Sequence, residues 1–180
     1  MFERTILEGA RLRLLELHQA EALFDAVDSN RDHLRRWLPW VDGTKSVEDC
    51  RAFIRRALDQ FAHGHGFHAG IWAGSRYAGT IGHHRIDWAN RSVSLGYWLG
   101  ADFQGRGLMT AACRQFVTHA YAEMRLHRIE IRCAVGNLKS CAIPERLGFT
   151  REGTIRQAER LHDRFVDHAV YGLLAGEWRG

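Results

Sequence analysis

The segment "SVSLGYWLGADFQGRGLMTAACRQF", Ser92 to Phe116, constrains the fold more than any other stretch of the chain. It opens with a clean alternation. Val93, Leu95, Tyr97 and Leu99 fall on one face and Ser92, Ser94, Gly96 and Trp98 on the other, the period of a strand. After Gln104 two glycines stand one residue apart, and then Leu108, Ala112, Phe116 and Ala120 recur every four residues, as on a helix beginning near Arg106. A strand that turns through glycines into a helix presents unpaired N–H groups to an anion. Gly96 inside the strand pattern predicts a bulge or a close approach by a ligand.

Around this segment the elements follow in a readable order. "ARLRLLEL" reads as a strand, residues 19–29 and 30–38 as two short helices ended by Pro39, and "SVEDCRAFIRRALDQFAHG" as a longer helix. Ser46 and Asp49 make a capping-box start for that helix, with Asp in place of Glu. "FHAGIWA" and "YAGTIGHHRI" are strands preceding the Ser92 segment. "HRIEIRCAV" is a strand with Ile129, Ile131, Cys133 and Val135 inward, "LKSCAIPERLG" a short helix, and the last two strands lie in 149–161 and 164–174. The order predicts one α/β (α+β) domain over residues 1–180, with helices packed on a mixed, mostly antiparallel sheet.

Composition excludes several classes. The 180 residues hold 25 basic and 21 acidic side chains, scattered instead of grouped in a tail, which suits a polyanionic ligand better than direct nucleic-acid binding. No long apolar run marks a membrane span, and the first residues carry charges where a signal peptide is apolar, so a cytoplasmic protein is expected. The four cysteines lack metal-ligand spacing. Cys113 and Cys133 fall on apolar faces and read as buried free thiols. His63, His65 and His68 have no accompanying cysteine or carboxylate and read as a loop between helix and strand, with no metal implied.

The glycine loop fits neither common nucleotide site. "QGRGLMT" lacks the Lys-Ser/Thr of a Walker loop, and it follows several antiparallel-looking strands instead of the first strand of a βαβ unit. What remains is a pyrophosphate cradle built from backbone amides and a helix dipole, or a plain tight turn.

Two motifs resolve that choice. "GYWLGADFQGRGLMTAA" resembles the acetyl-CoA-binding Q/R-x-x-G-x-G/A motif of GNAT-superfamily N-acetyltransferases, with Met109 at the final small position, as in the RimJ/RimL branch. "GNLKSCAIPERLGF" is similar to that branch's second signature. The resemblance implies a central sheet of about seven strands, splayed between the fourth and fifth. It implies acetyl-CoA as cosubstrate, no metal, and a homodimer. The leading acceptor it implies is a protein N-terminal amine, ribosomal in the best-known members.

Residue by residue, the resemblance places the pyrophosphate on the amides of Gly105, Arg106, Gly107, Leu108, Met109 and Thr110, with Gln104 opening the loop. The pantetheine pairs with the end of the Tyr97–Trp98–Leu99 strand, and the N–H of Leu99 or its neighbour meets the thioester carbonyl. Asn137 bonds the pantetheine and Ser140 is the acid near the sulfur. Glu159, in the Gln-Ala-Glu context of RimL-type enzymes, is the general base.

Competing readings stand beside these. Asn137 is also a good helix N-cap, Glu159 also a solvated edge carboxylate, and His83 and His84 are alternative bases on a strand before Gly96. Pro144 cannot donate to the carbonyl of Ser140, which frees or bends the backbone beside the acid. Residues 30–45 offer a wall for the acceptor, although Trp37, Leu38 and Trp40 also read as ordinary core. A small-molecule amine (antibiotic, polyamine or peptide-like toxin) is the alternative acceptor, and an acidic pocket would favour a cationic one. A CoA-binding module without catalysis is the alternative from another class.

Overall fold

A computed structural model of the protein describes residues 3–180. In chain order the elements are β1 (Glu3–Leu7), β2 (Ala10–Leu14), α1 (Ala20–Asp28), α2 (Arg31–Arg35), a 3-10 turn (Pro39–Gly43), α3 (Val47–Ala62), β3 (His68–Ala73), β4 (Arg76–His83), β5 (Ser92–Leu99), α4 (Leu108–Ala122), β6 (Arg128–Ala134), α5 (Leu138–Arg146), β7 (Thr150–Leu161) and β8 (Arg164–Leu174). Eight strands form one sheet in the order β1-β2-β3-β4-β5-β6-β8-β7. Neighbours are antiparallel except β5 and β6, which are parallel.

The mixed sheet matches the sequence reading, and one strand is added to those read there. Glu3–Leu7 adds an edge strand whose residues are mostly exposed, with Ile6 alone reaching the core, so no alternation announced it. The last sheet position of β6 is Ala134. Val135, expected inward, lies beyond the strand and is exposed.

Each face of the sheet has its own core. On one, α4 and α5 bury Leu108, Ala112, Phe116 and Cys141 against Ile81, Val93, Leu95, Ile129 and Ile131. On the other, α1, α2 and α3 contribute Leu23, Val27, Leu34, Ile54 and Ala57, packed on Trp72 and Tyr77. Beyond β5 this second face instead carries ion pairs, Arg128 with Glu130 and Glu152, and Arg132 with Glu130. The capping box of α3 forms as expected: the Asp49 carboxylate accepts the Ser46 N–H at 2.9 Å while the Ser46 hydroxyl accepts the Asp49 N–H.

The parallel contact between β5 and β6 is short. Ser92–Leu95 pair with Arg128–Ile131, and then the strands part. β4 continues to pair with β5 as far as Leu99, and β8 with β6 as far as Ala134. The splay expected between the fourth and fifth strands therefore falls between β5 and β6. The Ser94 carbonyl accepts from His84 N–H at 2.9 Å, and Gly100 N–H donates to the Ala78 carbonyl at 2.8 Å. Even-numbered residues of this stretch thus bond toward β4, and strand alternation turns the main-chain groups of Tyr97 and Leu99 into the gap.

His83 lies fully buried on the α4 side, its ring edge-on to Phe67 at 4.9 Å and tilted on Phe116 at 5.0 Å. Neither ring nitrogen has a hydrogen-bond partner, and burial, followed by the neighbouring His119, His68 and His84, pushes its pKa down to about 3. Burial likewise lowers His68 to about 4. Both histidines are held neutral in the folded state. As pH falls below ~6.5 the unfolded chain takes up protons that the folded chain refuses, so stability drops by roughly 1.4 kcal/mol per pH unit for each group. Urea midpoints measured between pH 7 and pH 5 are expected to fall, and to fall less steeply in His83→Phe. An equal slope in both proteins contradicts this account.

Candidate active site

The glycine loop is built as an open cradle. Gly105 and Gly107 both have φ of +74°, and a Cβ on either would meet no atom within 4 Å. The glycines are there for the left-handed backbone, which side-chain-bearing residues adopt at a cost. The first helical bond is Ala111 N–H to the Gly107 carbonyl, leaving the amides of Leu108, Met109 and Thr110 without partners inside the helix. Buried Leu108 and Met109 side chains anchor this turn in the core. The guanidiniums of Arg76 and Arg106 lie 4.7 and 5.8 Å from the Phe103 ring centroid, adding positive charge beside the loop. Oriented amides, a helix N-terminus and flanking cations suit a diphosphate.

Gln104 contributes through its side chain as a strut. It accepts from Lys139 Nζ at 2.8 Å and meets His33 Nε2 at 2.8 Å, joining the loop to α5 and α2. Trp98 is turned away from the gap. Its main chain faces β4, and its ring lies on the α1–α3 side, 6.1 Å from Trp40.

Ser140 sits in the first turn of α5 among groups that fix its position. Its N–H donates to Asn137 Oδ1 at 3.3 Å, so Asn137 caps the helix. Its hydroxyl is 3.3 Å from Cys133 Sγ, and its carbonyl accepts the Tyr97 hydroxyl at 3.2 Å. That carbonyl is the one Pro144 cannot bond, so the residue that interrupts the helix supplies the acceptor that a core-packed tyrosine requires. Burial, above all, pushes the Cys133 thiol up to about 11, so it stays protonated and inert at neutral pH.

Glu159 is half-exposed on β7 and pairs with His168 Nε2 at 3.3 Å. His168 stands opposite Ala134 in the β6–β8 ladder, on the face that also carries Arg132 and Glu130. Ser140 approaches the gap from the α4–α5 face and Glu159 lies on the opposite one. Of the alternative bases, His83 is sealed in the core. His84 is exposed, with Nδ1 3.1 Å from Ser94 Oγ. A Cβ on Gly96 would lie 2.6 Å from His84 Nε2, so the close approach that requires this glycine is made by an imidazole, and the β4–β5 register shows no bulge there. His63, His65 and His68 lie along the α3–β3 connection. Among the described residues no group of three or more His, Cys, Asp or Glu side chains is arranged to hold a metal ion.

The second helix and its turn form a wall on the Glu159 side. The Trp37 ring is 3.5 Å from the position of a Cβ on Gly136, just after β6, while Trp40 stays 39% exposed beside Trp98 on β5. Each lies against a residue of a strand or strand end bordering the gap and neither is part of the second face's core, whereas Leu38 packs on that core. His162, at the tip of the β7–β8 turn, hydrogen-bonds the Arg35 carbonyl at 2.7 Å and approaches Asp42 at 3.2 Å. An open pocket of about 340 Å³ lies between this turn and α2, lined by Asp32, Arg35, Arg36, Leu161, His162, Asp163 and Arg164.

Sequence reasoning placed the Tyr97 main chain and the 30–45 wall here but missed the contacts of the Tyr97 hydroxyl and the His33 ring, and it missed Cys133, His168 and Lys139 as members of this region. Pro144 was the one signal that could have led to Tyr97, because a freed helix carbonyl has to find a donor. Nothing local marks His33, which meets Gln104 from 71 residues away.

The acetyltransferase (GNAT) domain family model matches residues 10–150, and the chain belongs to that family. The Bacillus subtilis (strain 168) protein YdaF, named provisionally as a ribosomal N-acetyltransferase, is 38% identical over all of this chain and 99% of its own length. The ribosomal-protein-serine acetyltransferase of Escherichia coli (strain K12) is 28% identical over 93% of each chain. Among solved structures, a ribosomal L7/L12 alpha-N-protein acetyltransferase in complex with coenzyme A superposes with a TM-score of 0.91 at 28% identity, over 96% of this chain and 98% of that one. A microcin C7 self-immunity acetyltransferase in complex with acetyl-CoA and AMP gives 0.90 at 28% identity over 94% of each. The protein is an N-acetyltransferase.

Tyr97→Phe leaves the Ser140 carbonyl without its donor and is expected to cost about 1–3 kcal/mol of stability. In a Pro144→Ala background the restored N–H at position 144 competes for that carbonyl, and the same change should cost less by at least ~0.5 kcal/mol. A double-mutant cycle on urea unfolding measures the coupling; additivity would refute it.

Proposed function

We propose that the protein transfers the acetyl group of acetyl-CoA to a primary amine, with residues 1–180 as one catalytic domain, and that the amine is the N-terminal α-amino group of a protein, of the ribosomal type. The observation that carries this reading is the gap between β5 and β6. It joins an anion cradle and Ser140 on one face to Glu159 and a tryptophan-lined wall on the other.

The roles follow from placement. The amides of Gly105 to Thr110 hold the pyrophosphate, and the Asn137 side-chain nitrogen remains available to the pantetheine. Leu99 N–H, turned into the gap, donates to the thioester carbonyl as charge grows there. The Ser140 hydroxyl gives a proton toward the departing sulfur while the neutral Cys133 thiol keeps it oriented. An α-amine titrates near ~8, so only about a tenth is neutral at pH 7, and Glu159, steadied by His168, takes up the surplus proton.

The acceptor side favours a polypeptide. A small cationic amine calls for an acidic pocket, whereas the pocket beside α2 has three arginines against two aspartates and opens widely to solvent. The relatives named for ribosomal proteins point the same way. A small-molecule amine stays as the second reading, favoured by the similarity to the microcin self-immunity enzyme.

Thiol release from acetyl-CoA, followed over an amine panel, separates these readings. Peptides with free N-termini are expected to turn over with the acetyl group on the α-amine, and N-terminally blocked peptides and polyamines are not. Preference for a small amine transfers the assignment to the second reading, and tight acetyl-CoA binding with no turnover on any amine leaves a binding module. Glu159→Gln is expected to lower kcat about 100-fold and Ser140→Ala about 10- to 100-fold. His84→Asn should stay within a few-fold. The reverse ranking of Glu159 and His84 would move the base to His84.

A further inference from the structure

Three side chains from three separate elements form a hydrogen-bonded chain across the mouth of the gap. Lys139 Nζ, at the start of α5, donates to Gln104 Oε1, and the Gln104 amide nitrogen meets His33 Nε2 on α2, each at 2.8 Å. The Leu99 main chain, at the end of β5, lies near enough to the His33 ring to favour its charged form.

The chemistry of the donors sets every proton in this chain. An ammonium only donates, so the Gln104 oxygen faces Lys139 and its NH2 faces His33. His33 Nε2 must then be the bare nitrogen, and Nδ1 carries the ring hydrogen. The neutral imidazole alone completes the chain. With a proton on Nε2 two donors confront each other, and flipping the Gln104 amide merely moves the conflict to Lys139.

We infer that His33 is a positioning residue that ties the acceptor-side helix α2 to the pyrophosphate loop, and that protonating its ring releases the tie and weakens the hold on CoA. The surroundings are set for the neutral state. Partial burial lowers the His33 pKa, the Leu99 main chain opposes that, and Lys139 from α5 and Arg36 from its own helix lower it further. A second contact, Asn30 Oδ1 accepting Ala101 N–H at 2.8 Å, holds the start of α2 to the same loop whatever the state of His33. Protonation therefore slackens the loop without unfolding the wall. The inference rests on the use of CoA and not on which amine is acetylated.

The test is CoA binding by calorimetry at pH 7.5 and pH 5, with each protein compared by its own ratio of the two dissociation constants. CoA's phosphates and the other histidines titrate in all variants alike, so the difference between ratios isolates His33. In His33→Gln the side-chain oxygen accepts from Gln104 at every pH. In Lys139→Met the Gln104 amide is free to flip and accept from a protonated His33. Both variants should show a ratio at least five-fold smaller than the wild-type protein, while His33→Leu, which accepts nothing, should bind CoA at least five-fold more weakly than wild type at pH 7.5. Wild-type ratios in both His33→Gln and Lys139→Met, or undiminished affinity in His33→Leu, would overturn the inference. A purely structural role would lower melting temperatures and leave the ratios unchanged. Because no acceptor is present, failure of the amine assignment cannot imitate failure here.

Discussion

The site depends on a ladder that stops early. β5 and β6 share a four-residue parallel contact and then separate, although each continues to pair on its other side. A strand bonded along one edge only leaves strong donors and acceptors on the other, and such groups need partners. The main-chain groups of Tyr97 and Leu99 are of this kind, and the sheet offers them no strand on that side. An extended ligand that pairs with them completes the sheet. In the proposed reading the gap is both the binding groove and the passage between the two faces.

Everything chemical is arranged around that passage. The loop after β5 turns through two left-handed glycines, so helix α4 begins with its free amides beside the groove. Helix α5 brings Ser140 to the same opening from the α4 side, held by Tyr97, Cys133 and Asn137. On the far face lie Glu159 with His168 and the tryptophans around α2, where the proposed reading has the amine approach. The proposal puts cosubstrate and acceptor on opposite sides of one sheet.

Much of this was legible in the chain. The alternation from Val93 to Leu99, the paired glycines and the four-residue repeat of α4 each state a local preference strong enough to survive folding. The capping box at Ser46 and Asp49 did so as well. What stayed hidden depended on contacts between distant segments. β1 is an exposed edge with a single inward residue, so its pairing with β2 left no pattern. Gly96 promised a close approach but could not name His84 as the visitor. Pro144 announced a free carbonyl without revealing Tyr97 as its donor. The chain through His33, Gln104 and Lys139 combines three unremarkable polar residues that only the completed sheet brings together.

The central claim is that the open edge of β5 receives the pantetheine as an added strand. Amide hydrogen exchange resolved at single residues, with and without acetyl-CoA, tests it most directly. The amides of Tyr97 and Leu99 should exchange freely in the protein alone and slow by at least ten-fold when acetyl-CoA is bound, while those of Val93 and Leu95, already paired with β6, change little. Unaltered exchange at Tyr97 and Leu99 under saturating acetyl-CoA would contradict the account.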